Sequence, residues 1–260
     1  MVGEDALTLT GPPGIGARAG RADRSGTRGG CYTHYVCGRY ALGLTSREIE
    51  MRFGIAEIDQ RRPPVFPIPL PLFNVGPGRA IPVVVASDEG RSVRAMRWGF
   101  KPSWSKDKGR PAPINARAET LVERPMFRGA VAKGRCVIPA SGFYEWQSAV
   151  GQRGKQPWHF RLTGGEPFGF AGLWTPGPDG QDTAAIITTS ANELVGQVHD
   201  RMPVILAPDD EGDWLDIGEG PSAVLGCLRP FPAEMMEGYP VSPAVNAVAN
   251  DGPELARPLS

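Results

Sequence analysis

The sequence predicts an α+β domain whose core is an antiparallel, partly closed, barrel-like β-sheet with a few short helices on its flanks. Three observations predict this fold class. Short runs of β-branched and aromatic residues recur between Gly- and Pro-containing turns, whereas helical periodicity is brief and scattered. Strands and helices do not alternate as in a βαβ fold. No G-x-G-x-x-G or P-loop motif follows a predicted strand, so we expect no nucleotide cofactor.

The first regular element is a short helix over 46–53. Thr45 and Glu48 form a capping box at its start, and Ile49 and Phe53 lie four residues apart on one face. Residues 61–78 contain many prolines and are predicted to form an irregular loop. The runs that predict strands are, in order, Ile81–Ala86, Val93–Trp98, Cys136–Pro139, Phe143–Gln147, Trp158–Leu162, Phe168–Leu173, Ala184–Thr189 and Val204–Leu206. The runs that predict helices are Ala118–Glu123, Ala191–Val198, Glu211–Ile217 and Ser222–Leu228.

The 36 residues before Cys37 are rich in Gly and Arg and show no apolar periodicity. They are predicted to be disordered, and no continuous apolar segment marks them as a secretory signal. A GTG codon is read as methionine when it starts translation and as valine when it lies inside a longer reading frame. Val36 therefore suggests that translation starts at position 36, and removal of the initiator methionine would then expose Cys37. Residues 1–36 are therefore interpreted as a misassigned start or a pro-segment. One domain over 37–253 and a flexible tail over 254–260 complete the predicted organisation.

Composition is typical of an intracellular globular protein. Hydrophobic residues make up 41% of the chain without a long apolar run, so no membrane contact is expected. The four cysteines and three histidines lack metal-ligand spacing and any C-x-x-C motif. This pattern disfavours a metal site or a disulfide framework and indicates that the protein is located in a reducing cytoplasm. We expect the protein to be a monomer. Cys136 and Cys227 lie in apolar runs and are expected to be inert core residues.

The net charge of zero conceals an uneven distribution of charge along the chain. Residues 91–135 contain twelve Lys or Arg against three Asp or Glu, while 209–219 is strongly acidic. A local basic patch is sufficient to bind nucleic acid phosphates, whatever the average charge. An ordinary solvated face is the alternative interpretation.

Cys37 opens the first well-patterned stretch, Cys-Gly-Arg-Tyr. A cysteine at the start of a chain has two nucleophiles, the thiol and a free α-amine, which together condense with an aldehyde to form a thiazolidine ring. Inside a chain the same nitrogen is an amide, which resonance makes non-nucleophilic. The chemistry expected of Cys37 therefore depends on whether it is the first residue of the mature protein.

Two segments suit contacts with nucleic acid. If the run around Asn115 is extended, Asn115, Arg117 and Glu119 share one face and suit a phosphate or sugar oxygen. Residues 98–104 interleave aromatic residues with cations, a mixture typical of single-strand binders. Burial in the core is the alternative for these aromatic residues, and Trp104 is the one expected to be exposed.

Two further residues are candidates for proton transfer. Glu145 lies between aromatic residues in a predicted strand, where loss of solvent would raise its pKa; the alternative is a pair with an Arg across the sheet. His199 precedes Asp200 and is either an acid/base or a histidine favoured at a helix C-terminus. His159 is expected to be a core histidine.

Six motifs occur in order along the chain: Cys-Gly-Arg-Tyr, Phe-Asn-Val-Gly-Pro, Met-Arg-Trp-Gly-Phe-x-Pro-Ser-Trp, Ile-Asn-Ala-Arg-Ala-Glu-Thr, Gly-Phe-Tyr-Glu-Trp and His-Asp-Arg-Met-Pro. Together they resemble the SRAP family, the SOS-response-associated peptidases, from Cys37 to about Pro253. The resemblance implies the SRAP fold and a nucleoid-associated sensor of abasic sites in single-stranded DNA. Such a sensor crosslinks covalently to the site and needs no metal or other cofactor.

The resemblance also implies roles for individual residues. In the family the cysteine after the initiator methionine is the nucleophile, and its match here is Cys37. Asn115 and Glu145 would surround the cysteine amine, and His199 would be the acid/base near the sugar. The residues implied to contact DNA are Arg39, Arg117 and Arg201 at phosphates, and Asn74, Pro77 and Trp104 along a groove.

These groups predict a mechanism in which the Cys37 amine attacks the open aldehyde, Glu145 transfers protons as a Schiff base forms, and the thiol closes the ring. Peptidase activity would cleave the bond before Cys37 and expose the amine. Two other functions remain open. One is an N-terminal-nucleophile thiol amidohydrolase or peptidase that uses Cys37, Asn115 and His199. The other is a reader of single-stranded or modified DNA that binds without covalent chemistry.

Overall fold

The computed structural model describes residues 37–55, 68–105, 109, 111–148, 154–218 and 220–259; the leader predicted over 1–36 lies outside them. Within the described residues, thirteen strands form two sheets. The strands are β1 (Tyr40–Leu42), β2 (Leu72–Val75), β3 (Ala80–Ser87), β4 (Gly90–Trp98), β5 (Asn115–Arg117), β6 (Arg135–Ala140), β7 (Gly142–Ser148), β8 (Lys155–Leu162), β9 (Phe168–Pro176), β10 (Asp182–Ser190), β11 (Arg201–Pro203), β12 (Ile205–Leu206) and β13 (Met236–Pro240).

Short helices flank the sheets. Helix α1 begins at the predicted capping box, where the Thr45 hydroxyl accepts from the Glu48 N–H and the Glu48 carboxylate accepts from the Thr45 N–H. The described helices include none that is long and apolar enough to cross a membrane. The α-helices are α1 (Ser46–Arg52), α2 (Pro125–Lys133), α3 (Pro208–Leu215) and α4 (Pro221–Val224).

The larger sheet has eight strands in the order β11-β10-β4-β3-β6-β9-β12, with β5 beside β10. Strand β10 also pairs with β9, so the path through β10, β4, β3, β6 and β9 returns to its start and forms a closed ring. Strand β10 runs parallel to β4 and β5, and the other pairings are antiparallel. The predicted α+β class with a partly closed sheet is confirmed.

The smaller sheet is antiparallel, with the order β13-β8-β7-β1-β2. Its register determines the position of the first described residue. Tyr40 is opposite Phe143 on β7, and the two strands run in opposite directions. Residues that precede Tyr40 therefore lie beside residues that follow Phe143. This register brings Cys37 to Glu145, although 108 residues separate them in sequence.

Apolar side chains from both sheets form one large core. Because successive side chains on a strand point to opposite faces, Tyr40 and Phe143 enter this core, while Ala41 and Tyr144 face the other way. On that second face, part of the chain that follows β13 packs over β1 and β7. The resulting small cluster contains Ala41, Tyr144, Val241, Val245 and Leu255.

Two arginines tie helices to the rest of the fold. The Arg52 guanidinium donates to both carboxylate oxygens of buried Glu211, at 2.8 and 3.1 Å, and so links α1 to α3. Arg135 is buried, and its guanidinium donates to three backbone carbonyl oxygens, those of Val131, Trp214 and Asp216. These bonds supply donors to carbonyls at the ends of α2 and α3 that have no partner inside their own helices.

Several local predictions are wrong. The predicted loop 61–78 includes β2, which pairs with β1, while residues 61–67 lie outside the described residues. The predicted helix Ala118–Glu123 is only a 3-10 turn over Ala118–Thr120. The predicted helix Ala191–Val198 is shortened to Val195–Gln197, because the Asn192 side chain accepts from the Val195 N–H and caps the turn.

The predicted flexible tail over 254–260 differs from the structure of residues 254–259. Pro253–Ala256 forms a 3-10 turn, and Leu255 is only 2% exposed. The Leu259 N–H donates to the Pro240 carbonyl oxygen at 2.9 Å, and Pro258 bridges to Val241. The segment is ordered because Leu255 completes the small apolar cluster, a contribution that its polar neighbours conceal in the sequence.

Candidate active site

Cys37 lies at the centre of the candidate site. It is fully buried, and its φ of 46° is uncommon for a residue other than glycine. Its backbone N–H donates to Glu145 Oε1 at 2.5 Å. Burial, followed by the nearby Glu145 carboxylate, raises the pKa of the Cys37 thiol well above its ordinary value. The thiol is therefore kept neutral, and the nitrogen of Cys37 is the group that contacts a proton acceptor.

Glu145 lies on β7 with its side chain almost completely buried. Burial raises its pKa from 4.5 to about 8, against the opposing effect of the N–H groups of Cys37 and Trp146. The carboxyl group is therefore mostly protonated at pH 7 but close to its titration range. A group in this range can both accept and return a proton in neutral solution.

His199 follows the Val195–Gln197 turn and precedes β11. Its Nδ1 accepts from the Arg201 N–H at 3.1 Å and also lies 3.0 Å from Asp200 Oδ1. The first contact requires an unprotonated Nδ1 and the second a protonated one, so the two contacts are alternatives selected by protonation. The His199 side chain is 17% exposed and remains accessible to solvent or substrate.

The candidate groups come from both sheets. Glu145 belongs to the smaller sheet, while His199 leads into β11 of the larger one. Gln147, two residues beyond Glu145, donates from Nε2 to the Gln197 carbonyl oxygen at 3.0 Å. The Asp200 charge also acts on Glu145 as a minor influence on its pKa. These contacts bring the turn that carries His199 towards the pocket of Cys37.

Asn115 and Arg117 lie on one face of β5, opposite Ile186 and Thr188 of β10. Both line an open cleft of about 860 Å³. The alternating pattern was expected to continue to Glu119, but the strand ends at Arg117 and a 3-10 turn follows. The Glu119 side chain is instead paired with an arginine of β11.

That arginine is Arg201. Its Nη1 and Nη2 donate to the two Glu119 oxygens at 3.0 and 2.9 Å, which lowers the pKa of Glu119 below its ordinary value. Nη2 also donates to the Thr188 carbonyl oxygen at 2.8 Å. Buried Nε has no hydrogen-bond partner among the described residues. Arg201 is predicted to bind a DNA phosphate, and in the structure its charge is balanced by Glu119.

Asn74 does not line an open groove, as the sequence analysis had expected, because it is 0% exposed. Its Nδ2 donates to the backbone carbonyl oxygens of Val245, Ala247 and Asn250 at 2.8 to 3.2 Å. Its Oδ1 accepts from Arg39 Nη1 at 2.6 Å, and the same Nη1 donates to the Val245 carbonyl oxygen. Buried carbonyls need donors, so Asn74 holds the segment after β13 in place and orients Arg39.

The remaining predicted DNA contacts are accessible. Trp104 is 62% exposed, and Pro77 is exposed in the turn after β2. Arg117 is exposed, and its charge helps to lower the pKa of Glu119. His159, expected in the core, is buried, and burial lowers its pKa to about 3.

Two features of the site were missed by the sequence analysis. Glu119 is the partner of Arg201, and the only available signal was its negative charge within the basic stretch 91–135. Arg124 lines the same cleft as Asn115, with no motif to indicate it. No group of three His, Cys, Asp or Glu side chains that could hold a metal occurs in the part of the chain that the structure describes.

Comparisons with known proteins indicate one family. A family model described as SOS response associated peptidase (SRAP) matches residues 36–248. The abasic site processing protein YoqW of Bacillus subtilis is 39% identical over 226 residues, which cover 85% of this chain and 98% of YoqW. The abasic site processing protein YedK of Escherichia coli is 32% identical over 229 residues, covering 86% and 100%. A crystal structure of a Bacteroides thetaiotaomicron protein shares the fold, with a TM-score of 0.74 and 24% identity over 86% of this chain and 100% of that one.

Proposed function

The chain belongs to the SOS response associated peptidase (SRAP) family, and from this premise we propose that it processes abasic sites in DNA. We infer that it does so by forming a covalent crosslink through Cys37 when that residue begins the mature chain. The relatives YoqW and YedK are named abasic site processing proteins. The observation that carries the covalent step is the 2.5 Å contact between the Cys37 nitrogen and Glu145.

The contact matters because it pairs the nucleophile with a proton acceptor. A free α-amine has a pKa of about 7.7 to 8.0, compared with roughly 10.4 for a lysine amine, so an appreciable fraction is neutral near pH 7. In the chain in which Cys37 carries an amide nitrogen, burial raises the pKa of Glu145 to about 8. Once the amine is free, its positive charge favours the charged form of Glu145, and this carboxylate can accept the proton that the amine releases as it attacks.

The reaction begins when the abasic deoxyribose opens to its aldehyde, with His199 protonating the ring oxygen. The Cys37 amine forms a bond to C1′, and one of its protons passes through Glu145 to the aldehyde oxygen, which becomes a hydroxyl group. The second amine proton passes through Glu145 to this hydroxyl group, which leaves as water and produces a neutral Schiff base. The Cys37 thiol then adds to the imine carbon, while its proton moves to the nitrogen. Because the thiol is tethered to the same residue, ring closure to the thiazolidine is fast.

Other residues of the site would hold the DNA. Exposed Arg117 suits a phosphate beside the lesion, and Arg39, oriented by Asn74, suits another. Trp104 and Pro77 offer exposed flat surfaces for unpaired bases. We assign Asn115, which lies on the same face as Arg117, to the sugar of the abasic site.

The same contact favours a second activity, cleavage of the Val36–Cys37 peptide bond. The Cys37 nitrogen is the leaving group of that reaction, and protonated Glu145 lies 2.5 Å from it. The Cys37 thiol attacks the Val36 carbonyl carbon and releases its proton to solvent, while Glu145 gives its proton to the departing nitrogen. Water then hydrolyses the thioester, which frees the Cys37 thiol and the Val36 carboxylate. Cleavage would make residues 1–36 a pro-segment; a start at position 36 would make it unnecessary.

The test uses two forms of the protein, one beginning at residue 1 and one expressed as Met-Cys37 with the methionine removed. Each form is incubated with single-stranded DNA carrying one abasic site and analysed on a denaturing gel and by mass spectrometry. We expect a shifted band only when Cys37 is the first residue. Cys37→Ser is the matched control, because it keeps the amine and can form only an imine, which survives denaturation only after borohydride reduction.

The other outcomes identify the competing functions. A crosslink from the long form with its mass unchanged would mean that another nucleophile, such as a lysine, reacts. Absence of a crosslink from either form, with salt-sensitive DNA binding retained, would indicate a non-covalent reader. Turnover of a small amide without DNA binding would indicate the amidohydrolase.

A further inference from the structure

Gln147 joins the strand that carries Glu145 to the turn that carries His199. Because side chains alternate along a strand, Glu145 and Gln147 point to the same face of β7. Gln147 Nε2 donates to the Gln197 carbonyl oxygen at 3.0 Å. His199 follows Gln197 by two positions in the same turn. One side-chain amide therefore connects the two residues to which proton transfer is assigned.

A second contact fixes the orientation of the Gln147 amide. Trp158 lies opposite Glu145 on β8, and its indole Nε1 donates to Gln147 Oε1 at 3.2 Å. An indole N–H can only donate and a backbone carbonyl can only accept, so one orientation of the amide satisfies both partners. Trp158 itself packs against the large core and stacks on Phe160. The amide is thus anchored to the smaller sheet on its oxygen side and holds the turn on its nitrogen side.

The turn requires such a contact at its His199 end. Asn192 holds the beginning of the turn, because its Nδ2 donates to the Phe231 carbonyl oxygen at 2.8 Å. Within the turn, the His199 N–H donates to the Val195 carbonyl oxygen at 2.9 Å. This internal bond fixes the shape of the turn but not its distance from β7. The contact with Gln147 fixes that distance.

We propose that Gln147 is a positioning residue for the opening of the abasic sugar, an inference that rests on the proposed function. Its amide holds His199 at the ring oxygen of the deoxyribose, while Glu145 faces C1′ of the same sugar. In this step the C1′–O4′ bond breaks, O4′ takes a proton from His199, and the C1′ hydroxyl releases its proton to solvent, which leaves the aldehyde. Gln147 acts through His199 alone, so the bond formation that follows at Cys37 does not require it.

Two substrates separate ring opening from the later steps. One single strand carries an ordinary abasic site. In the other strand, hydrogen replaces the 4′-hydroxyl of the open sugar, so the aldehyde cannot close into a ring. The protein is the form that begins at Cys37, which contains every described residue. The rate of crosslinking at saturating protein is measured on denaturing gels, and binding of each strand is measured by anisotropy.

Gln156 provides the matched control. It lies directly opposite Gln147 on β8, and its Nε2 donates to the Val241 carbonyl oxygen at 2.9 Å, in the segment after β13. Methionine keeps the length of either side chain and removes its hydrogen bonds. We expect Gln147→Met to slow crosslinking to the ordinary abasic site about fivefold, as for one lost hydrogen bond, and to change binding by less than about twofold. Gln156→Met should change neither the rate nor the binding by more than about twofold.

The open aldehyde and a double variant supply the readouts that a purely structural role would not move. On the open aldehyde, Gln147→Met should react within about twofold of the wild type. Since Gln147 acts through His199, Gln147→Met should slow the ordinary reaction no further when His199→Ala is already present.

Equal slowing on both strands, equal effects of Gln147→Met and Gln156→Met, or additive effects in the double variant would overturn the proposal. A wild-type protein that crosslinks to neither strand would refute the proposed function and this role with it. Crosslinking by the wild type, together with an unchanged rate in Gln147→Met, would refute the role of Gln147 alone.

Discussion

Replacing Glu145 with Gln should stabilise the full-length chain at neutral and alkaline pH. Burial raises the pKa of Glu145 from 4.5 to about 8, so between these pH values the folded protein retains a proton that the unfolded chain has released. The stability contributed by this proton is fully present below pH 4.5 and is lost as the pH rises through 8. Gln remains neutral at every pH, and its Oε1 can still accept from the Cys37 N–H.

The size of the effect follows from the two pKa values. Each pH unit between 4.5 and about 8 lowers the stability of the wild type by about 1.36 kcal/mol. Relative to acid conditions, the wild type loses about 3 kcal/mol at pH 7 and about 4 to 5 kcal/mol above pH 8. Glu145→Gln should avoid this loss, so the difference between the two proteins should be small at pH 4.5 and should grow with pH.

Urea unfolding at pH 4.5, 7 and 9 measures the difference, with Glu234→Gln as an exposed control. A difference that does not increase with pH would refute the assigned pKa of Glu145. For the form that begins at Cys37, we expect Glu145→Gln to have the opposite effect on stability. There the α-ammonium lies beside the carboxylate and favours its charged state, so Glu145→Gln should reduce stability at pH 7.

Three further predictions concern other contacts. Glu119→Gln removes the counter-ion of Arg201 and should tighten single-stranded DNA binding about two- to fivefold with a steeper salt dependence in anisotropy titrations; unchanged binding would exclude an Arg201–phosphate contact. Asn74→Ala leaves buried carbonyls without donors and should lower the free energy of unfolding by about 2 to 4 kcal/mol. Hydrogen exchange of residues 241–250 should become faster, and retained protection of these residues would contradict the structural role of Asn74. Gly142→Ala would place a Cβ in steric conflict with His159 Nε2 and should lower the free energy of unfolding by about 2 to 3 kcal/mol, measured by thermal unfolding. An unchanged Tm would show that the imidazole can move aside.

Strands that consist of apolar runs could be predicted from the sequence, whereas strands whose conformation depends on pairing with a neighbouring strand could not. Strands β3, β4 and β6 to β10 consist of apolar and aromatic runs between turns, and their positions were predicted closely. Strand β13 contains Glu, Gly and Pro, so its strand conformation depends on pairing with β8. Helix α2 begins with Pro125, a favourable first position, but Gly129 lowers its helical propensity, and the helix was missed.

For the candidate site, the sequence indicated which residue types matter but not which residues contact each other. Cys37 and Glu145 were predicted to be reactive, and the raised pKa of Glu145 has the expected direction. Their contact depends on the β1–β7 register, which no local pattern encodes. Asn74 was misjudged for a related reason. The partners of its Nδ2 are backbone carbonyls, and every residue has a carbonyl, so side-chain identity gives no signal of them.

The packing of the segment after β13 against Arg39 and Asn74 has a consequence for the order of synthesis. Residues 241–259 leave the ribosome about two hundred residues after Cys37, yet the Val245 carbonyl oxygen accepts a hydrogen bond from Arg39, which lies two residues after Cys37. A nascent or prematurely terminated chain therefore contains Cys37 without its complete surroundings. Translation itself orders the two events, so that the surroundings of Cys37 are complete only after residues 241–259 have been synthesised.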